Sequence, residues 1–496
     1  MDYLSFDLGA SSGKMFRGVF DGERLELFPV HAFGNRIIPL AGGLYWDFPG
    51  IYEGMCEGIR KAMAERPFGS FGIDSFNNDF SFIGKNGDLL SPLRSYRDPR
   101  TSRHQDAIYG KISARALYMH TGNQIAPFNT LMQLAAMRED GQGFLLDHAD
   151  KLLFLPDLLG YYLTEQRYTE YTIASETQML DWETCSWIDE LLRLFDIPER
   201  LFAPLCMPGT VIGQVSPRFL SHNGVPSFRH VAVCEHDTAS AFLAALASKS
   251  TAVLSCGTWT VIGAENEFPI INAYGFANNI ANEGSLPGHH RISINVMGLW
   301  IMQQLRADYA MQGQAFDHEQ IQALAGKAVP FAAFIDPDQA AFYQPGDMAA
   351  KVADKKLLQK NQALCQTPGA LFRCVYESLA FQYRWSLEKL EHFLNRKFQQ
   401  VSFVGGGSRD AMLCQFTANA LNLPVIAGPA EASSAGNILV QMLADHGISH
   451  IAQGRDIVRR SFALREYLPQ EPGLWQEQYL NYCGLVHSGA AATYDQ

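Results

Sequence analysis

Short strand-like runs of apolar residues alternate with stretches of helical spacing along this chain, a rhythm that predicts an α/β architecture. Leu4–Phe6 reads as a strand running through Asp7-Leu8-Gly9 into a Gly/Ser turn, with Lys14–Phe20 as its partner strand. Pro49–Glu65 has helical spacing, and Gly69–Asp74 is a further short strand. Trp187–Phe195 predicts one amphipathic helix, stopped by Ile197-Pro198. A second series opens near residue 244: Thr251–Leu254 as a strand, Ser255–Thr258 as a turn and Trp259–Gly263 as a strand. DLGASSGK (7–14) and SCGTWT (255–260) thus both place small hydroxyl residues and glycine at a hairpin tip that opens a long α/β segment, which suggests a duplicated domain.

The run VAVCEHDTASAFLAAL (231–246) joins a predicted strand to a predicted helix through Glu235-His236-Asp237. Aspartate is a favoured helix cap because its carboxylate accepts orphan backbone N–H groups. A cap is the commoner role of an acid at such a junction; proton transfer is the alternative, since ligands of α/β folds gather at strand ends. The two roles are compatible, because the positive field of a helix N-terminus keeps such a carboxylate ionised.

Composition narrows the function classes. The 496 residues are 47% hydrophobic, enough for substantial cores, and 39 basic against 51 acidic residues give a formal charge of −12, which argues against nucleic acid as the partner. No apolar run approaches the ~20 residues that span a bilayer, and MDYLSFDLGA carries no basic segment followed by an apolar one, so a cytoplasmic protein without a membrane partner is expected. Nine dispersed cysteines with no C-x-x-C pair are expected to be thiols in a reducing compartment. His289-His290 is expected to be structural.

Other motifs offer polar chemistry. DLGASSGK is not a P-loop, because three residues separate Gly9 from Gly13 and Met15 follows Lys14. It leaves a turn with room for close backbone approach, the hydroxyls of Ser11 and Ser12, the cation of Lys14, and Asp7 as a carboxylate suited to hydrated Mg²⁺. FVGGGSRD (403–410) lies between a predicted strand, Gln400–Val404, and a predicted helix, Ala411–Leu421, where bare backbone can meet a ring or phosphate. GPAEASSAGN (428–437) puts small residues before another helix. GIDSFNNDFSF (72–82) clusters Asx residues that suit either a turn or a polyol, and SYRDPRT (95–101) reads as a surface ion-pair loop. NVMGLWIMQQL (295–305) reads as the start of an amphipathic helix with Asn295 and Gln303 as its polar groups.

Taken in order, DLGASSGK, GIDSFNND, SYRDPRT, PFNTLMQL, EHDTAS, SCGTWT, NVMGLW, FVGGGSRD and GPAEASSAGN resemble the sugar kinases of the FGGY family, and the rhamnulokinase branch most closely, from near residue 3 to near residue 460. The resemblance implies two ribonuclease-H-like, actin-like domains with a cleft between them: 1–243 for sugar, 244–460 for ATP, and a tail over 461–496. It implies transfer of phosphate from MgATP to the 1-hydroxyl of L-rhamnulose by a monomer or homodimer. Asp237 matches the family's general base, and His236, Thr238 and Asn295 match sugar contacts. Ala10, Ser11, Ser12, Gly13 and Lys14 match the first phosphate loop, and Thr258, Gln303 and Gly406 match further ATP contacts.

Three departures qualify the match. Phe76-Asn77-Asn78 stands where the branch typically has Trp-Gly-Val, so Asn77 replaces a glycine that touches sugar through its backbone. Lys14 stands for a frequent Arg, and Asp410 for a frequent Asn. Asn77 makes a kinase for another ketose or polyol, such as L-fuculose, an alternative. A non-catalytic actin-like nucleotide sensor is a second alternative, since fold alone does not fix function.

Overall fold

Alternating apolar side chains build the first sheet. Leu4, Phe6 and Leu8 on strand Asp2–Leu8 are fully buried, each contributing roughly 1.5–3 kcal/mol by leaving water. The structure, a computed structural model, describes residues 2–354, 358–360 and 367–486. Two compact units share the chain: Met1–Ala244 with Glu265–Ile292 and Ala432–Phe462, and Ala245–Ala264 with Ser293–Glu431 and Ala463–Gln496.

In the first unit the sheet runs Val211–Gln214, Arg229–Val231, Ser70–Ser75, Asp2–Leu8, Ser12–Phe20, Leu25–Gly34. Asp2–Leu8 is antiparallel to Ser12–Phe20 and parallel to Ser70–Ser75. Helix Phe48–Glu65 starts at the Asp47 cap and buries Ile51, Met55, Ile59 and Ala62, the spacing of one helical face. Helix Ala432–Ala444 also belongs to this unit, although the long stretch that precedes it, Ser293–Glu431, does not. Its Asn437 Nδ2 donates to Asp74 Oδ2 at 2.6 Å, and Gln441 Nε2 donates to the Leu4 carbonyl at 3.0 Å. Gly436 lies so close to helix Asp237–Ala244 that a Cβ there would stand 1.7 Å from the Ser240 carbonyl oxygen.

The second unit repeats the same pairing. Thr251–Cys256 is antiparallel to Trp259–Asn266 and parallel to Gln400–Val404, which pairs in parallel with Val425–Ala427. The echo between the two hairpins is therefore topological as well as compositional. The expected strand Gln400–Val404 and helix Ala411–Leu421 have the predicted bounds. From the tail, helix Pro472–Val486 buries Trp475, Tyr479 and Tyr482 against Phe331, Phe334 and Phe381 of the second unit.

Some local expectations shift. The helix near Trp187 is Asp189–Leu194, while Trp187 sits in a two-residue strand and stacks on Phe202 at 4.0 Å. Burial of that indole outweighed its helical spacing. Asn295–Met297 ends strand His290–Met297, and the helix starts at Trp300. The eight described cysteines are free thiols; Cys365 lies outside the described residues. No described helix is long and apolar enough to cross a membrane.

Candidate functional site

The strand end at 231–236 is anchored before any chemistry is considered. The Ser75 N–H donates to the Glu235 carbonyl at 2.8 Å, Ser240 Oγ donates to the Cys234 carbonyl at 2.7 Å, and the His236 N–H donates to Thr172 Oγ1 at 3.1 Å. Helix Asp237–Ala244 starts immediately after, and the His236 carbonyl accepts its first bond from the Ser240 N–H at 3.1 Å. His236 thus occupies the capping position and Asp237 the first helical turn. The two acids of Glu235-His236-Asp237 part company here. Glu235 is fully buried beneath the loop, with Tyr168 donating to its Oε1 at 3.0 Å, and burial raises its pKa well above the ordinary value. Asp237 keeps 28% of its side chain exposed. Thr238 Oγ1 donates to its Oδ1 at 3.1 Å. Desolvation raises the Asp237 pKa, opposed by His236 and Thr238.

Behind Asp237 lies a polar chain made of residues far apart in sequence. His236 Nε2 is 3.4 Å from Asp237 Oδ1, and its Nδ1 is 3.0 Å from Arg291 Nη2 and in contact with Glu176 Oε1. Arg291 is fully buried; its Nη2 is 2.9 Å from Glu176 Oε1 and its Nη1 3.1 Å from Glu283 Oε2. Its guanidinium also donates from Nε to the Gly284 carbonyl at 3.1 Å and lies over the Phe242 ring, on the helix that begins with Asp237. Burial, reinforced by the Arg291 charge, lowers the His236 pKa to about 4, so the imidazole is neutral at pH 7. Burial raises Glu176 to about 7 against the opposing pull of Arg291. Asn77 Nδ2 donates to Glu176 Oε2, and its Oδ1 accepts from Asn78 Nδ2 at 2.7 Å, so its carboxamide is engaged within the protein.

The two hairpin turns are also fixed by backbone bonds. In the first, the Gly9 N–H donates to the Ser12 carbonyl at 2.9 Å, and Asn35 grips the turn through its N–H on the Ser11 carbonyl at 3.0 Å and its Nδ2 on the Gly9 carbonyl at 3.1 Å. Ser11 at the tip is exposed; Ala10, Ser12 and Lys14 are half-buried, and Gly13 is packed under the Phe33 ring. Asp7 pairs in register with Lys14 on one side and Asp74 on the other. Burial and then the Asp7 charge push the Asp74 pKa well above its ordinary value, and Asp74 Oδ1 has no hydrogen-bond partner. Two adjacent carboxylates with an orphaned oxygen are a hard donor set that fits Mg²⁺. Among the described residues no cluster of three His, Cys, Asp or Glu side chains could hold a metal ion. Mg²⁺ bound through one or two carboxylates, water and phosphate oxygens needs no such cluster.

In the second unit the turn at Thr258 is clamped: the N–H groups of Gly298 and Trp300 donate to the Thr258 carbonyl at 3.2 and 3.3 Å, and that of Leu299 to the Gly257 carbonyl at 2.9 Å. Gly405, at φ +82°, and Gly407 lie against Cys256, where a Cβ would be 2.9 Å from its carbonyl oxygen and 2.5 Å from its Sγ respectively. SCGTWT and FVGGGSRD, distant in sequence, are therefore packed together at Cys256; Gly406 and Gln303 are exposed and Thr258 is half-buried. Asn295 is half-buried on its strand. Asp410 caps helix Ala411–Leu421 and accepts from Tyr376 at 2.5 Å.

Several polar motifs serve the scaffold. Asp79 accepts from Trp46 Nε1 at 2.6 Å and from the Tyr96 N–H at 3.0 Å, and Asp98 and Arg100, expected on the surface, are buried and bonded to Leu44 and Gln133. They face inward because their partners are otherwise unsatisfied buried donors and acceptors. His290 lies at 3.1 Å from the Glu267 carbonyl and edge-on to Trp182. Sequence reasoning missed Glu176, Arg291 and Glu283. The available signal was a lone charge inside otherwise small or apolar runs, as in IASETQML and HRISINV.

Known proteins resemble the chain over nearly its whole length. The N-terminal domain of the FGGY family of carbohydrate kinases matches residues 2–244, and the C-terminal domain matches 252–444. The chain is 35% identical to a rhamnulokinase of Bacteroides thetaiotaomicron over 98% of this chain and 99% of the relative. It is 34% identical to one of Bacillus subtilis over 95% and 96%. Among solved structures, a ligand-bound xylulose kinase of Lactobacillus acidophilus superposes with a TM-score of 0.83 at 16% identity, covering 99% of both chains. A glycerol kinase of Plasmodium falciparum with ADP gives 0.78 at 15%, covering 100% and 98%. The fold is thus the two-domain, actin-like α/β fold of sugar kinases, and the chain belongs to the FGGY family of carbohydrate kinases.

Proposed function

We propose that this kinase moves the terminal phosphoryl group of ATP to the 1-hydroxyl of L-rhamnulose, giving L-rhamnulose 1-phosphate and ADP, with Asp237 as the general base. The bond from the terminal phosphorus to the ADP oxygen breaks, a bond to the sugar oxygen forms, and the hydroxyl proton passes to the Asp237 carboxylate. Phosphoryl transfer asks the protein mainly for alignment and charge stabilisation. One observation carries the reading: Asp237 alone of the acids at this strand end keeps an exposed carboxylate, and His236 and the helix start back it. Its raised pKa makes it a stronger base than an ordinary aspartate, while the helix start offsets ~0.3–1 kcal/mol of the cost of its charge.

In this reading His236, Thr238, Asn295 and the backbone of Asn77 hold the sugar. Ala10, Ser11, Ser12, Gly13 and Lys14, with Thr258, Gln303 and Gly406, hold the nucleotide. Asp7 would hold Mg²⁺ through water, and the ion would supply charge neutralisation at the phosphates. Engagement of the Asn77 carboxamide by Glu176 and Asn78 supports L-rhamnulose over a sugar selected by that amide. The free thiols suit a reducing cytoplasm. ADP release measured over L-rhamnulose, L-fuculose, pentuloses and polyols tests the reading. The highest kcat/KM is expected for L-rhamnulose; a higher value for L-fuculose refutes the substrate, and no sugar-dependent ADP refutes the activity.

A further inference from the structure

Arg291 is fully buried, and contacts through His236 link it to Asp237. A guanidinium has five donors and no acceptor. Its Nη2 sits 3.0 Å from His236 Nδ1, so that nitrogen must offer a lone pair. A neutral imidazole then keeps its one proton on Nε2, the nitrogen 3.4 Å from Asp237 Oδ1. Glu176, touching the same Nδ1, is compatible with this when it carries its own proton, and its buried setting favours the protonated form. Asn77 Nδ2 and Arg291 hold Glu176 from two sides, and Glu283 balances the guanidinium.

We propose that Arg291 is a positioning residue for the phosphoryl-transfer reaction: it fixes His236 as the Nε2–H tautomer, which donates toward the base carboxylate and keeps it ionised and oriented. The proposal rests on Asp237 being the base. The charged or titratable groups facing Asp237 and His236 include Glu176, Glu283, Arg291, Asp74 and Tyr96; of the two that reach Nδ1, Glu176 and Arg291, Arg291 is the one that can only donate, having no acceptor. A lysine at 291 keeps the charge but cannot fork to Glu176, Glu283 and Nδ1 together.

The tautomer can be read without turnover. Nitrogen-15 spectra of histidine-labelled enzyme at pH 6, with the His236 signals assigned by His236→Gln, are expected to show a protonated Nε2 and a bare Nδ1. In Arg291→Lys the proton is expected on Nδ1, and the acid limb of the pH–kcat profile moves up by about one unit, with the sugar KM within about threefold. A protonated Nδ1 in the unsubstituted enzyme overturns the proposal, even if Arg291→Lys fails to fold. So does an acid limb that stays in place when the tautomer switches. Absence of sugar-dependent ADP release would instead overturn the kinase reading and leave the tautomer result standing.

Discussion

Gly436→Ala tests whether helix packing sets the position of the base. The added Cβ would stand 1.7 Å from the Ser240 carbonyl oxygen, 2.5 Å from its carbonyl carbon and 3.1 Å from its Cα. Real Cβ contacts essentially never fall under 3.0 Å, so helices Ala432–Ala444 and Asp237–Ala244 must separate by about 1.3 Å. All three contacts are with backbone atoms, so no side chain can rotate to relieve them. Overpacking of this kind costs roughly 1–3 kcal/mol. Ser240 is less than one turn from Asp237, so the base shifts with it, and a misplacement of about 1 Å lowers turnover by about 10²-fold. Steady-state ADP release at saturating sugar and ATP reads kcat, thermal unfolding reads the packing cost, and Gly473→Ala, where a Cβ meets nothing within 4 Å, is the control. A folded Gly436→Ala enzyme with kcat within twofold of the parent would refute the reasoning.

In Gly298→Ala the Cβ would lie 2.6 Å from the Trp259 carbonyl carbon and 2.8 Å from the Gly257 and Thr258 oxygens, breaking the clamp on the Thr258 turn. The dissociation constant for ATP should rise about tenfold, in line with ~1.4 kcal/mol of lost contact; unchanged affinity in a folded variant contradicts the role given to that turn. His230→Gln removes an imidazole whose nitrogens lie 3.1 Å from the Phe71 carbonyl and 2.8 Å from the Tyr168 hydroxyl. The unfolded imidazole takes a proton below 6.5, whereas burial holds the folded one down to about 4, so its contribution, at most ~3 kcal/mol, is present above pH 6.5 and lost towards pH 4. The stability gap between parent and variant should therefore narrow from pH 7.5 to pH 5 in urea unfolding. A gap independent of pH would contradict this, since the buried acids pulling the other way are common to both proteins.

Local signals carried much of the architecture. Gln400–Val404 and Ala411–Leu421 were readable because β-branched and aromatic residues give way at a glycine turn to a run of helix formers. The Asp237 junction was readable for a similar reason, since the apolar run ends at polar residues that open a helix. Trp187 misled because a large indole at helical spacing was drawn into a stack with Phe202. What lies behind the base was hidden by distance along the chain: Asn77 reaches Glu176 across 99 positions and Arg291 reaches Glu176 across 115. Asn437 reaching Asp74 across 363 positions has no local signature either. The small residues of GPAEASSAGN take physical form in Gly436 packed against Ser240.

The most direct measurement is turnover and binding in Asp237→Asn. Asparagine keeps the shape and the contact with Thr238 but cannot take the hydroxyl proton, so kcat should fall about 10²–10⁴-fold, the range a general base contributes. Dissociation constants for ATP and L-rhamnulose should stay within about threefold, because no binding group is lost. Turnover close to that of the parent enzyme would contradict the account.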